Sequence, residues 1–123
     1  VSTEQLEVVV RTAFAGTHRW PEAPVSRAYL ANVHRHLFHV EACVSVDAGR
    51  DIEFHDLLDS VRRAIRTLGI SAGAGGVALG SMSCEDIATV LAHELIAEHG
   101  SDRRIEVGVW EDGECGARYR SAP

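Results

Sequence analysis

A chain of 123 residues that is 46% hydrophobic and 24% charged is long enough to bury a core of its own, and one domain over residues 1–123 is expected. Its formal net charge of −6 argues against a nucleic-acid backbone or an anionic membrane as the main partner, because both would repel it. No apolar run approaches the roughly 20 residues of a membrane-spanning helix, and no basic-then-apolar leader pattern opens the sequence, so the expected location is the cytoplasm.

Residues 6–15, LEVVVRTAFA, are apolar and β-branched and read as a first strand. A loop with Trp20, Pro21 and Pro24 follows, since proline offers no N–H to a ladder. A second strand is expected over about 33–47. Its alternation sets His34, His36, Phe38 and Val40 on one face and Arg35, Leu37, His39 and Glu41 on the other. After the turn DAGRD, residues 54–68 repeat Leu57, Leu58, Val61, Ile65 and Leu68 at helical spacing, and Gly69 is a natural stop. The glycine-rich stretch 69–80 lacks the GK[ST] of a phosphate loop and reads as a flexible connection. A second helix is expected over about 83–99, with Ser83 as N-cap, Glu85 and Asp86 in its first turn, and Ile87, Val90, Leu91 and Leu95 inward. Two closing strands, about 103–111 and 115–120, meet at the turn Asp112-Gly113. The order ββααββ predicts an α+β domain, a four-stranded antiparallel sheet with two helices on one face.

Cys43, Cys84 and Cys115 have no CxxC spacing, and read as small buried hydrophobes rather than as a disulfide framework or thiolate metal site. The seven histidines are the feature that needs explaining. His34 and His36 lie two apart on a strand, so both imidazoles point the same way and can converge on one ion. His18, just past the first strand, comes close to them if the first two strands form a hairpin. Three neutral imidazoles leave one tetrahedral position for water or substrate, an arrangement of catalytic rather than structural type. Without a thiolate or carboxylate in the cluster Zn2+ is favoured, with iron as the alternative. The competing reading is that HxH is a chance pair of surface histidines. His39 falls on the opposite face, and His55, His93 and His99 read as exposed helix residues.

Several of these segments also carry a resemblance. FAGTH at 14–18 resembles the F-x-A-A-H element of the 6-pyruvoyltetrahydropterin and 6-carboxytetrahydropterin synthase family, and HRHLFHVE at 34–41 resembles its H-G-H-N-Y-x-V-x strand. GRDIEFHDL at 49–57 is similar to its G-M-V-x-D-F-x-x-L turn, SCEDIA at 83–88 to T-A-E-N-L-A, and VGVWEDGECGARY to V-x-V-x-E-T followed by A-x-Y. The matches are collinear over nearly the whole chain. The resemblance implies the tunnelling fold, subunits joined into a homo-oligomer (a hexamer), and Zn2+ held by His18, His34 and His36. It makes Glu111 the carboxylate that accepts two parallel N–H bonds from the 2-amino-4-oxo edge of a pterin or related purine-like substrate. The implied activity is a zinc-dependent lyase, with a place in deazapurine biosynthesis, in which the metal acidifies C–H bonds and a base moves the proton.

The departures concern that base. Leu30 stands where the family has its catalytic cysteine, four residues before the first histidine of H-x-H. The family's L-D-H element has no counterpart in residues 69–82, Glu53 replaces the aspartate of D-F, and Arg35 replaces the glycine between the two histidines. Glu22, His55 and Asp56 are the candidates for the missing proton-transfer group. A non-catalytic ring-binding relative, or a zinc hydrolase on the same scaffold, is the alternative function.

Overall fold

Two strands of thirteen residues each, β1 (Leu6–His18) and β2 (His34–Val46), pair antiparallel without a break from Leu6↔Val46 to His18↔His34. They form the centre of the computed structural model, which describes residues 4–71, 73 and 76–122. Alternation along β2 buries Phe38, Val40, Ala42, Val44 and Val46. Full burial of the Phe or of each Val side chain contributes about 1.5–3 kcal/mol relative to exposure, and a slip of one residue would turn the whole set outward. The register is therefore strongly specified.

A 3-10 segment, Val25–Ala31, links β1 to β2. Helix α1 (Phe54–Arg66) and helix α2 (Cys84–His99) follow, and the chain closes with β5 (Ile105–Glu111) and β6 (Cys115–Arg120). Leu57, Val61, Ala64 and Ile65 of α1, and Ile87, Leu91, Ala92 and Leu95 of α2, share one core cluster with the inward residues of β2 and with Ile105, Val107 and Val109 of β5. Ser83 caps α2 reciprocally: its hydroxyl accepts from the Asp86 N–H, and the Asp86 carboxylate accepts from the Ser83 N–H, both at 3.1 Å.

The sheet departs from the four antiparallel strands expected. Among the described residues it has six and is mixed, in the order Ile70–Ser71, Val77–Ala78, β1, β2, β5, β6. The additional strands, β3 (Ile70–Ser71) and β4 (Val77–Ala78), come from the glycine-rich stretch read as a connection. Ala72, Ala74 and Gly75 of that stretch lie outside the described residues. β4 runs parallel to β1 through Gly16↔Val77 and Thr17↔Ala78. Two-residue strands carry no readable alternation. Their glycines mark close backbone approach instead: a Cβ at Gly76, where φ is +81°, would stand 1.9 Å from the Ala15 carbonyl oxygen.

Three smaller expectations are corrected. His18 is the last residue of β1 rather than lying beyond it. Cys43 and Cys84 are buried, but Cys115 is exposed: it shares the face of Ala117 and Tyr119 but stands at the start of an edge strand, where it lines an open cavity. His99 is half-buried with its Nε2 enclosed. Among the described residues no helix is long and apolar enough to cross a membrane.

Candidate metal centre

The β1–β2 ladder ends on a cluster of imidazoles. Because His18 and His34 are direct cross-strand partners and His36 lies two residues further along β2, all three side chains emerge on the face that carries Phe38. Their ring centroids lie 4.6 Å (His18–His34), 4.9 Å (His34–His36) and 5.4 Å (His18–His36) apart. One nitrogen from each ring falls within 4.8 Å of the other two.

The opposite nitrogens are tied down. His18 Nδ1 donates to the Met82 carbonyl at 2.8 Å, and His34 Nδ1 donates to the Asn32 carbonyl at 2.8 Å. His36 Nδ1 donates to the Asp112 carboxylate at 2.6 Å. A carbonyl oxygen or a carboxylate can only accept, so each Nδ1 carries the proton. In the neutral ring each Nε2 then presents a lone pair. Orientation of a ring by an oxygen on its far nitrogen is the usual support of a metal-binding histidine. Nε2 of His18 and Nε2 of His36 are buried and have no hydrogen-bond partner among the described residues. Enclosed lone pairs without donors fit a cation.

Asp112 reaches this position through the hairpin turn. It adopts φ of +54° and Gly113 +76°. Its Oδ1 accepts from the Leu37 N–H at 3.0 Å, and its own N–H donates to the Leu37 carbonyl at 2.7 Å. That Leu37 N–H, and then the His36 ring, hold the Asp112 carboxyl below the usual range. Sequence reasoning took Asp112 only as a turn former, and it overlooked Met82 and Asn32 because they act through backbone carbonyls, which leave no side-chain signal.

Glu111, the last residue of β5, joins the cluster. Its Oε1 lies 3.1 Å from His18 Nε2 and its Oε2 lies 3.4 Å from His36 Nε2. The cluster opens on a cavity of about 510 Å3 lined by His18, His34, Glu111, Trp20, Leu30, Cys84, Glu85 and Cys115, among others. Cys84 is pushed up to about 12, first by burial and then by the charges of Glu111 and Glu85, so its thiol stays protonated. Leu30 lines this cavity. The departure from the family's cysteine therefore falls inside the site.

Of the residues singled out from sequence, His18, His34, His36 and Glu111 come together. Glu22, His55 and Asp56 are not among the residues lining the cavity. Glu22 is exposed in the turn after β1. His55 and Asp56 are exposed in the first turn of α1, where His55 Nδ1 pairs with Glu53 at 2.9 Å.

The architecture matches solved structures of 6-pyruvoyltetrahydropterin synthase. The enzyme from Plasmodium falciparum gives a TM-score of 0.72 at 17% sequence identity, over 98% of this chain and 100% of that one. The Plasmodium vivax enzyme gives 0.71 at 16%, over 98% and 99% respectively, and a variant of it altered at a catalytic glutamate matches equally. No protein-family model matches the sequence, and no curated protein matches it. At such identity the likeness establishes a shared fold.

Proposed function

We propose that this chain is a Zn2+-dependent lyase-type enzyme acting on a pterin or a similar purine-derived ring. The observation that carries this reading is the set of three Nδ1-anchored histidines, which turn their Nε2 lone pairs toward one another at the mouth of a cavity. At about 510 Å3 the cavity has the volume of a small-ligand site. The fold shared with pterin synthases supports the substrate class.

His18, His34 and His36 would hold the ion. When bound, Zn2+ supplies Lewis-acid polarisation of a substrate oxygen, which acidifies the adjacent C–H bond. The chain's own residues bind and orient. Glu111 accepts paired N–H donors from the ring edge, while Trp20 and Leu30 supply apolar contact and limit water. Leu30 cannot move a proton. Glu22, His55 and Asp56 would reach the cavity only from another copy of the chain, so a homo-oligomer, a hexamer by resemblance, belongs to this reading.

Leu30 in the cavity wall also favours a second reading, a ring-binding protein without turnover. The test is to incubate the zinc-loaded protein with dihydroneopterin triphosphate and assay for acetaldehyde and for a pyruvoyl product. Turnover that His34→Ala abolishes supports the lyase. Tight ring binding without product sinks it and leaves the binder.

A further inference from the structure

The chain has two tryptophans, and they stand in opposite situations. Trp110 follows the buried Val109 and so lies on the other face of the sheet. Its indole is engaged there: it rests on the bare backbone of Gly108 and Gly116, where an added Cβ would stand 2.3 Å and 2.8 Å from the ring. The Arg118 guanidinium lies over it, 5.6 Å from the ring centroid. Trp20 is 49% exposed and lines the cavity. Among the described residues its indole makes no ring contact, cation–π contact or hydrogen bond.

The backbone that carries this unengaged ring is nonetheless tied on every side. The Arg19 N–H donates to the Gly80 carbonyl at 2.9 Å, and the Trp20 N–H donates to the Leu30 carbonyl at 2.7 Å. The Trp20 carbonyl accepts from the Ala23 N–H at 3.1 Å. A fixed mount under a free aromatic surface suits binding, because little order remains to be lost when a ligand arrives. Glu111 lines the same cavity, on a backbone held by its pairing with Phe38. The cavity therefore offers one flat π surface and one carboxylate that reads an edge.

We infer, on the ring-binding reading above, that Trp20 is the stacking surface for the bound ring and that with Glu111 it selects flat heterocycles carrying a paired N–H edge. The two residues read different properties. Stacking on an indole rewards any planar π system, whatever its hydrogen-bonding pattern. The carboxylate rewards two parallel N–H donors, whatever the shape of the rest of the ring. A pterin whose second ring is saturated keeps the donor edge but puckers, and it loses π surface on that half. Adenine keeps the flat face but lacks the 2-amino-4-oxo edge. Only an unsaturated ring with that edge satisfies both residues, so the site prefers a pterin to its tetrahydro form.

The experiment measures, by calorimetry on the full chain with Zn2+ supplied throughout, the affinities of pterin, 5,6,7,8-tetrahydropterin and adenine. The wild type is expected to bind pterin about tenfold or more tightly than either of the others, the scale of one aromatic stack. Trp20→Leu is expected to lose about tenfold or more in pterin affinity and to bind pterin and tetrahydropterin alike. Trp20→Phe, which restores a flat surface, is expected to recover most of the loss. Glu111→Gln is expected to erase the preference for pterin over adenine and to leave the preference over tetrahydropterin in place. The pterin absorption band is expected to weaken on binding to the wild type and not to Trp20→Leu, the signature of stacked rings. Equal pterin affinity in the wild type and Trp20→Leu, with the preference over tetrahydropterin kept, would overturn the stack while leaving ring binding standing. A wild type that binds neither pterin would bring down the ring reading, and the stack with it.

Discussion

His18 and His34 face each other as the last pair of the β1–β2 ladder, their rings edge to face with centroids 4.6 Å apart. The pair is placed by everything upstream of it. Twelve further register pairs, from Leu6↔Val46 to Thr17↔Arg35, precede it without a bulge, and the buried alternation of β2 fixes that register. The geometry of the candidate metal centre is thus set by core packing well away from it.

Removing the carboxylate that orients His36 is expected to weaken the centre without unfolding the chain. Asp112→Ala deletes the 2.6 Å contact to His36 Nδ1 and the 3.0 Å contact from the Leu37 N–H. Zn2+ affinity is expected to fall about 10–100-fold, read by chelator competition, with secondary structure retained by circular dichroism. Unchanged affinity would mean that the ring is oriented by other means.

Met82 supplies its carbonyl to His18 from the residue preceding the α2 cap. Ser83→Ala removes the cap hydroxyl and is expected to cost about 1 kcal/mol of stability. The same variant is expected to weaken Zn2+ binding, since the segment that holds His18 loosens with the cap. A thermal shift with no loss of metal affinity would separate the two effects and remove the link.

Gly76→Ala is expected to damage both fold and site. The added Cβ would meet the Ala15 carbonyl at 1.9 Å, in a backbone conformation, φ +81°, that disfavours side chains. Destabilisation of about 1–3 kcal/mol is expected, measured by urea unfolding. Ala15 lies three residues before His18, so metal affinity is expected to fall too.

The cysteines give a chemical and a pH signature. Cys115 is exposed while Cys43 and Cys84 are buried, so a thiol reagent at pH 8 is expected to modify Cys115 in the native protein and all three after unfolding. Cys43 is raised from 9.0 to about 11, first by burial and then by the charges of Glu7, Glu41 and Glu106. A raised folded-state value stabilises the fold fully below pH 9.0, and that contribution is lost as the pH climbs toward 11. The melting temperature is expected to decline over this window, and Cys43→Ala to decline less.

What could be read from the sequence follows from how far each signal extends. β1 and β2 were legible because alternation and β-branched residues run over thirteen positions each. Ser83 and Gly100 bracket α2 as their chemistry predicts. His34 and His36 could be paired from spacing, but His18 needed the hairpin assumption, and only the ladder brings it opposite His34. β3 and β4 could not be read, since two residues show no period and the parallel pairing is decided by the partner strand. The cavity wall was equally hidden: Trp20, Leu30, Glu85 and Cys115 come from four separate segments. Only the folded chain brings them together.

The three candidate ligand positions differ in how the backbone holds them. β1 is bonded on both sides up to its tip, with β2 on one flank and, on the other, Leu79 N–H to the Thr17 carbonyl at 2.8 Å and Arg19 N–H to the Gly80 carbonyl at 2.9 Å. His36 is braced through Asp112 to the β5–β6 turn. His34 stands before β2 meets β5, whose pairing begins at Phe38, and its ring leans on Asn32 of its own approach. Two of the candidate ligand positions are thus braced from a neighbouring segment, and the third from its own approach. If the three hold an ion, accommodation of a different radius is expected to fall on His34, the position braced only from within residues 32–34.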